Sequence, residues 1–266
     1  MSSQIITQMI RIGEIEMKYA RFGEGQKHFI MIPGLSIKEV TPSAPAVAAA
    51  YEAFAKEYTV WLFDRRLNAP EDYSIAAMAD DTAQVIKELG IENADFFGAS
   101  QGGMICQYIA INYPKLVHKL VLGSTLCRPC RQSVEVINGW IDAALACDGR
   151  RLVADSISRI YSKATLDAYR DAIIASMSNL TDDEYRRFVI MAKAILNFDT
   201  SAQLSQIKCP VLVIGSEGDM VVTSEASVEL AEFLHCQLYL YDSSFGHAVY
   251  DEAPDYKERL LNFYRN

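Results

Sequence analysis

Short apolar runs alternate with longer amphipathic segments along most of the chain, which is typical of strands and helices that follow one another. The runs are rich in β-branched and aromatic residues, which favours strands. Eight strands are predicted, near residues 9–12, 15–21, 27–32, 59–63, 94–98, 119–122, 210–214 and 237–241. We interpret the first two as an antiparallel hairpin and the rest as a mostly parallel sheet.

Helical periodicity fills most of the intervals between these strands. Helices are predicted near 43–57, 74–89, 101–112 and 223–234, with a last one from about 253. Ser74 is a suitable N-cap for the second helix, and Gly90 is a suitable stop signal. The predicted fold class is therefore α/β, with helices flanking a mostly parallel eight-stranded sheet.

The alternation stops over residues 128–205, which contain amphipathic helical patterns without a clear strand. We interpret this block as an inserted helical cap on a core domain formed by residues 1–127 and 206–266. Most of its apolar side chains should pack against the core, and some, Trp140 among them, should line a substrate pocket.

The charge and composition exclude several classes of function. The formal net charge is -9 with a pI near 5.0, a field that repels nucleic-acid phosphates and anionic membrane surfaces. The first residues lack the apolar run of a signal peptide, and no apolar stretch reaches the length of a membrane span. We therefore expect a cytoplasmic protein with a small-molecule partner, and neither a nucleic acid nor a membrane.

Six cysteines are scattered through predicted strands and helices, which fits reduced thiols better than a disulfide framework. Cys127 and Cys130 form a Cys-x-x-Cys pair, the spacing of some zinc and redox sites. No second such pair and no nearby histidine complete a metal shell, so no metal site is predicted.

The segment Gly98-Ala99-Ser100-Gln101-Gly102 matches G-x-S-x-G and lies between a predicted strand and a predicted helix. A serine on such a sharp turn needs small flanking residues, because strand and helix approach closely there. The same string could instead pack a helix on the sheet or bind phosphate. Its context favours Ser100 as a nucleophile.

A serine hydroxyl needs a base within hydrogen-bond reach. His247 lies in the loop after the last predicted strand, at the carboxyl edge of the sheet where Ser100 is also expected. His28 and His118 open strands at the opposite edge, and His235 ends a helix. His247 is therefore the predicted base.

Two further groups complete the predicted catalytic site. Asp219 follows the strand at 210–214 on the same edge and is the predicted acid that orients the histidine, with Glu217 as a competitor. The oxyanion formed on an attacked carbonyl needs backbone N–H donors. Gln101 supplies one by its position after the serine, and Leu35, which follows Gly34 in the turn after the third strand, supplies the other.

With these motifs the chain resembles the α/β-hydrolase superfamily over nearly its whole length. The run from Gly98 to Gln107, with Tyr113-Pro114 and the segment 120–125, is similar to the small-molecule esterase and enol-lactonase branch. This resemblance implies ester or lactone hydrolysis without a metal or cofactor. The chain has Pro33-Gly34 where many relatives have His-Gly, and residues 64–68 depart from the pattern Asp-x-Arg-Gly-x-Gly.

Four arginines fall in loops at the predicted carboxyl edge, which is unusual in an acidic chain. They are Arg65, Arg66, Arg128 and Arg131. One hypothesis is that one or more of them binds a carboxylate of the substrate, because a planar guanidinium suits a bidentate contact. The alternative is surface pairing with Asp64, Glu71 or Asp72.

The predicted function is hydrolysis of a small ester or lactone through an acyl-enzyme on Ser100. Carbon–carbon bond hydrolysis or acyl transfer with the same triad remains an alternative, although Ala248 stands where carbon–carbon hydrolases often have tryptophan. A ligand receptor of the same fold is a third possibility. The sequence predicts neither the natural substrate nor the oligomeric state.

Overall fold

Eight strands form one sheet in the computed structural model, which describes residues 4–266. They are β1 (Ile6–Ile12), β2 (Ile15–Phe22), β3 (Lys27–Ile32), β4 (Tyr58–Phe63), β5 (Ala94–Ala99), β6 (Val117–Gly123), β7 (Val211–Ser216) and β8 (Gln237–Tyr241). Their order is β1-β2-β4-β3-β5-β6-β7-β8, antiparallel from β1 to β4 and parallel from there on. The predicted eight-stranded, mostly parallel sheet is confirmed.

Helices cover both faces of this sheet. They are α1 (Ala44–Ala50), α2 (Glu52–Ala55), α3 (Ile75–Glu88), α4 (Gln101–Asn112), α9 (Ser224–Leu234), α10 (Val249–Glu252) and α11 (Tyr256–Arg265). Successive strand residues enter opposite cores: Ile30 packs with α3, α4 and α9, and Phe29 packs with α1, α2 and α11. Burial on both faces explains the continuous apolar runs of the central strands.

Two helices differ from the sequence prediction. The helix predicted over 43–57 breaks at Tyr51, whose φ of -106° and ψ of 25° are not helical. The Tyr51 ring packs 6.1 Å from that of Phe29 on β3, so tertiary packing overrides the local periodicity. The last helix begins at Tyr256 rather than 253, because Ala253 precedes Pro254 and is extended, as the residue before a proline favours.

The segment predicted as a cap forms the remaining helices, α5 (Arg131–Leu145), α6 (Gly149–Ile160), α7 (Lys163–Met177) and α8 (Asp182–Leu196). The structure describes all of residues 128–205 and places no strand there. α5 and α8 share a core with α4, whereas α6 and α7 enclose a small cluster of Val153, Ile157 and Ile174. Within residues 4–266, no helix is long and apolar enough to cross a bilayer.

Candidate active site

Ser100 lies on the sharp turn between β5 and α4, at the carboxyl end of the sheet. Its φ of 52° and ψ of -122° lie in a region that non-glycine residues rarely adopt, at a cost of about 1–3 kcal/mol. Hydrogen bonds hold the turn: the Ser100 N–H donates to the Gly123 carbonyl at 2.9 Å, and the Thr125 hydroxyl donates to the Ser100 carbonyl at 2.7 Å. The end of β6 therefore supports the strained backbone.

The glycines around Ser100 are explained by close approach of the backbone. A Cβ atom on Gly102 would overlap the Ile32 carbonyl at the end of β3. A Cβ atom on Gly98 would lie 2.6 Å from the Gly102 carbonyl oxygen, where no real Cβ fits. Side chains at these positions would push the helix away from the sheet, so the turn that carries Ser100 requires glycine.

His247 and Asp219 form a buried pair in the loops after β8 and β7. The imidazole Nδ1 donates to Asp219 Oδ2 at 2.7 Å, and both residues are buried. The other carboxylate oxygen, Oδ1, accepts the N–H groups of Val221 at 2.8 Å and Val222 at 3.0 Å. The carboxylate is thereby fixed, and a proton on Nδ1 leaves Nε2 as the acceptor that a general base requires.

Ser100 and His247 line the same cavity, which we call the catalytic cavity. Its volume is about 40 Å³, room for a small group beside the serine. Within residues 4–266, no hydrogen bond joins the Ser100 hydroxyl to the imidazole. Such bonds are often long in an unliganded site and shorten once substrate binds.

The backbone N–H groups of Leu35 and Gln101 find no acceptor among the described residues. Gln101 is the first residue of α4, so its N–H has no intrahelical partner and lies at the positive end of the helix dipole. A Cβ on Gly34 would lie 3.2 Å from the Ser100 Cβ, which places the turn before Leu35 directly against Ser100. Two unengaged donors beside a serine are what an oxyanion hole requires.

The loop that carries Leu35 is held at both ends by two residues that follow β4. At one end, an Arg65 guanidinium nitrogen donates to the Pro33 carbonyl at 2.5 Å. At the other, the Asp64 carboxylate accepts the backbone N–H groups of Val40 at 2.7 Å and Thr41 at 3.1 Å. Burial lowers the pKa of Arg65 to about 10, and its Nε finds no partner within residues 4–266. The Arg65 side chain is buried against the loop and does not line the catalytic cavity.

The other three arginines of that hypothesis, Arg66, Arg128 and Arg131, do not line the catalytic cavity. Each lies near an acidic side chain; in the same order these are Asp81 at 3.7 Å, Glu229 at 2.5 Å and Glu135 at 2.8 Å. These acids differ from the partners named from the sequence, Asp64, Glu71 and Asp72. Arg66 and Arg128 reach acids on α3 and α9, whereas Arg131 begins α5 and pairs with Glu135 one turn further along the same helix.

The remaining predicted residues are placed as follows. Trp140 of α5 lines the catalytic cavity, and its Nε1 donates to Asp155 at 2.9 Å. Glu217, the competing acid, is exposed, whereas Asp219 is bonded to the histidine. His118 lies at the far edge of the sheet, where it contacts Asp95 at 2.8 Å.

All six cysteines are unpaired. Cys130 caps α5: its sulfur accepts the Ser133 N–H at 3.5 Å, and the Ser133 hydroxyl accepts the Cys130 N–H at 2.9 Å. Cys127 is buried, with its sulfur 3.6 Å from Glu229. Among the described residues no group of three potential ligands is arranged for a metal ion.

Two features of the site were missed from the sequence. The Gln101 side chain donates to the Met191 carbonyl of α8 at 2.7 Å, so the residue after Ser100 also ties its turn to α8. The two residues are 90 positions apart, and no local pattern signals the contact. Tyr250, three positions after His247, also lines the catalytic cavity. Its one signal in the sequence is its position three residues after the predicted base, His247.

Comparison with known proteins places the chain in a family. A family model described as the α/β hydrolase fold matches residues 28–254. The chain belongs to the α/β-hydrolase superfamily. RutD of Agrobacterium fabrum (strain C58 / ATCC 33970), whose name assigns it provisionally to carbamate hydrolysis, is 27% identical over 223 residues, which cover 80% of this chain and 85% of RutD.

Solved structures of α/β hydrolases share the fold. MGS-M2, an α/β hydrolase enzyme from a Medee basin deep-sea metagenome library, has a TM-score of 0.86 at 21% identity and covers 97% of this chain and 98% of its own. The enol-lactonase from Burkholderia xenovorans LB400 has a TM-score of 0.82 at 22% identity and covers 97% of this chain and 100% of its own. The predicted superfamily is confirmed, and the chain is a hydrolase of this superfamily.

Proposed function

We propose that this α/β hydrolase cleaves small esters or lactones through an acyl-enzyme on Ser100. The observation that carries the proposal is the hydrogen bond between Asp219 and His247, because His247 lines the same cavity as Ser100. The unengaged N–H groups of Leu35 and Gln101 support it, because acyl transfer needs donors for a developing oxyanion.

In the first half of the proposed reaction, the Ser100 Oγ attacks the carbonyl carbon while His247 Nε2 accepts its proton. The carbonyl π electrons move to oxygen, and the Leu35 and Gln101 N–H groups donate to the oxyanion. The intermediate collapses, the bond to the leaving oxygen breaks, and the histidine returns the proton to that oxygen. Asp219 stabilises the imidazolium throughout.

In the second half, water attacks the acyl carbon and gives a proton to His247. A second tetrahedral intermediate forms in the same oxyanion hole and releases the acid, and the histidine returns the proton to Ser100. A lactone follows the same steps, except that its alcohol stays attached to the acyl group. Carbon–carbon hydrolysis or acyl transfer would use the same groups, with a carbon leaving group or a different acceptor.

Carbamate hydrolysis is a second candidate, because the related RutD bears that name. The wall of the catalytic cavity favours the ester. Beyond Ser100 and His247, its lining is mostly apolar, and the Ser133 hydroxyl is already engaged with Cys130, as a donor to its carbonyl at 2.9 Å and as an acceptor of its N–H at 2.9 Å. A carbamate nitrogen would lose hydrogen bonds to water without replacement, at a cost of about 1–3 kcal/mol.

The test compares initial rates on phenyl acetate, phenyl carbamate and a vinylogous diketone at equal concentration. We expect phenyl acetate to be cleaved at least tenfold faster than the other two, and Ser100→Ala to abolish the activity. Faster carbamate turnover would transfer the proposal to carbamates, and faster diketone turnover would transfer it to carbon–carbon bonds. A folded wild type that cleaves none of them would refute catalysis of this kind.

A further inference from the structure

A second and much larger cavity adjoins the catalytic cavity, and we call it the side cavity. Its volume is about 620 Å³, within the range of pockets that hold drug-sized ligands. The two cavities share wall residues from both domains: Gly34, Leu35, Trp140, Ile160 and Tyr250. A molecule that reaches Ser100 therefore lies directly beside the side cavity.

Aliphatic side chains form much of the wall of the side cavity. Val47 lines it from α1, Ile157 from α6 and Ile173 from α7. One polar group stands out: Ser156 lines the cavity, is 5% exposed, and its hydroxyl finds no hydrogen-bond partner within residues 4–266. A buried hydroxyl without a partner is costly. A substrate arm that carries a polar atom opposite Ser156 should therefore bind more tightly than a plain hydrocarbon chain.

The two cavities differ in volume, so they would hold parts of a substrate that differ in size. The catalytic cavity of about 40 Å³ holds a group about the size of a methyl or acetyl. The side cavity is many times larger and presents a mostly apolar surface, with Lys38, Glu39, Asp251 and Lys257 as its charged lining residues. The apolar part favours a hydrocarbon chain through burial from water. A symmetric, small ester would leave most of this space unused.

We propose that the side cavity binds the larger half of the substrate, an aliphatic chain of about six carbons or more, while the catalytic cavity holds the smaller half. This inference rests on the proposed hydrolysis at Ser100. It makes the protein selective for esters or lactones with one short and one medium-length arm. Each methylene buried in the side cavity should raise kcat/KM about three- to fourfold until the cavity is full.

The test uses two ester series, methyl esters of acids of increasing length and acetates of alcohols of increasing length. We expect kcat/KM to rise by about 10²-fold from a two-carbon to a six-carbon arm in one of the series. Val47→Trp fills the cavity from α1 and should remove most of that gain without changing the rate on methyl acetate. Ala49→Trp, on the exposed side of the same helix and outside the cavity lining, is the matched control.

Ile173→Trp fills the cavity from the opposite wall and serves as a second blocking variant, so a folding defect in one does not decide the result. Rates that are independent of arm length in both series would overturn the inference. An equal loss on methyl acetate and on the long esters in both variants would also overturn it, because it would make the side cavity an entrance path.

A binding measurement tests the side cavity independently of the proposed hydrolysis. The apolar fluorophore N-phenyl-1-naphthylamine should bind to Ser100→Ala as it does to the wild type, and methyl octanoate should displace it. Binding should weaken at least tenfold in Val47→Trp and stay unchanged in Ala49→Trp. Binding of this kind without hydrolysis would refute the proposed function and leave the side cavity as an apolar ligand site. Equal binding by all four proteins would refute the side cavity itself.

Discussion

Arg65 offers a test of how the oxyanion loop is held, through the substitution Arg65→Met. The substitution removes the donor to the Pro33 carbonyl, and a buried acceptor without a donor costs about 1–3 kcal/mol. If that cost falls on the loop conformation that presents Leu35, the population of competent loop drops by about 5- to 150-fold. We therefore expect kcat to fall by about 10- to 100-fold, below the full loss of an oxyanion donor.

The free energy of unfolding should change by no more than about 2 kcal/mol in Arg65→Met. Burial of the guanidinium is itself unfavourable, as the lowered pKa of about 10 indicates, and the methionine removes that buried charge. The loss of the hydrogen bond and the relief of burial offset each other to within about 2 kcal/mol.

The assay measures kcat and KM on phenyl acetate, the inhibition constant of a trifluoromethyl ketone and the denaturant midpoint. Inhibition and kcat should weaken in parallel in Arg65→Met, while KM changes little. Arg128→Met, which alters a surface pair with Glu229, should leave all of these values unchanged. An unchanged kcat in folded Arg65→Met, or a loss confined to KM, would refute the role of Arg65 as a positioning residue.

Three further predictions concern Asp219, Gly34 and His28. Asp219→Asn should lower kcat by about 10⁴-fold with the fold intact, because the imidazole would be held in the wrong tautomer, whereas Glu217→Gln should have no effect on kcat. Gly34→Ala should lower kcat while the free energy of unfolding changes little, since the added Cβ would stand 3.2 Å from the Ser100 Cβ; a folded variant with full activity would contradict this. Burial lowers the pKa of His28, so its protonation opposes folding and stability should fall as pH drops below 6.5. His28→Gln should reduce that loss in urea titrations at pH 7 and pH 5, and an identical pH dependence would contradict it.

The sequence predicted those parts of the site that depend on local patterns and on sheet topology. Ser100 could be identified because its turn is encoded by adjacent glycines between a strand and a helix. His247 and Asp219 could be chosen because the carboxyl ends of parallel strands meet at one edge, and the structure pairs the two at 2.7 Å. The sheet was likewise predicted from the alternation of apolar runs with amphipathic segments and from the β-branched and aromatic residues in those runs.

The contacts that the sequence did not reveal depend on packing between distant segments. Arg65 meets the Pro33 carbonyl 32 positions away because β3 and β4 are neighbours in the sheet. A charged residue near a predicted active site suggested a substrate ligand, whereas its burial made it a support of the loop. The side cavity is closed by α6 and α7 against α1, and no pattern along the chain specifies how these helices meet.

The measurement that tests the central claim most directly is covalent labelling of the purified protein by a fluorophosphonate, followed by peptide mapping. The account predicts one phosphonyl group on Ser100, complete loss of labelling in Ser100→Ala, and strongly slowed labelling in a His247→Ala variant that keeps its fold. A folded wild type that stays unlabelled, or a label on any other residue that persists in Ser100→Ala, would contradict an activated serine at this site.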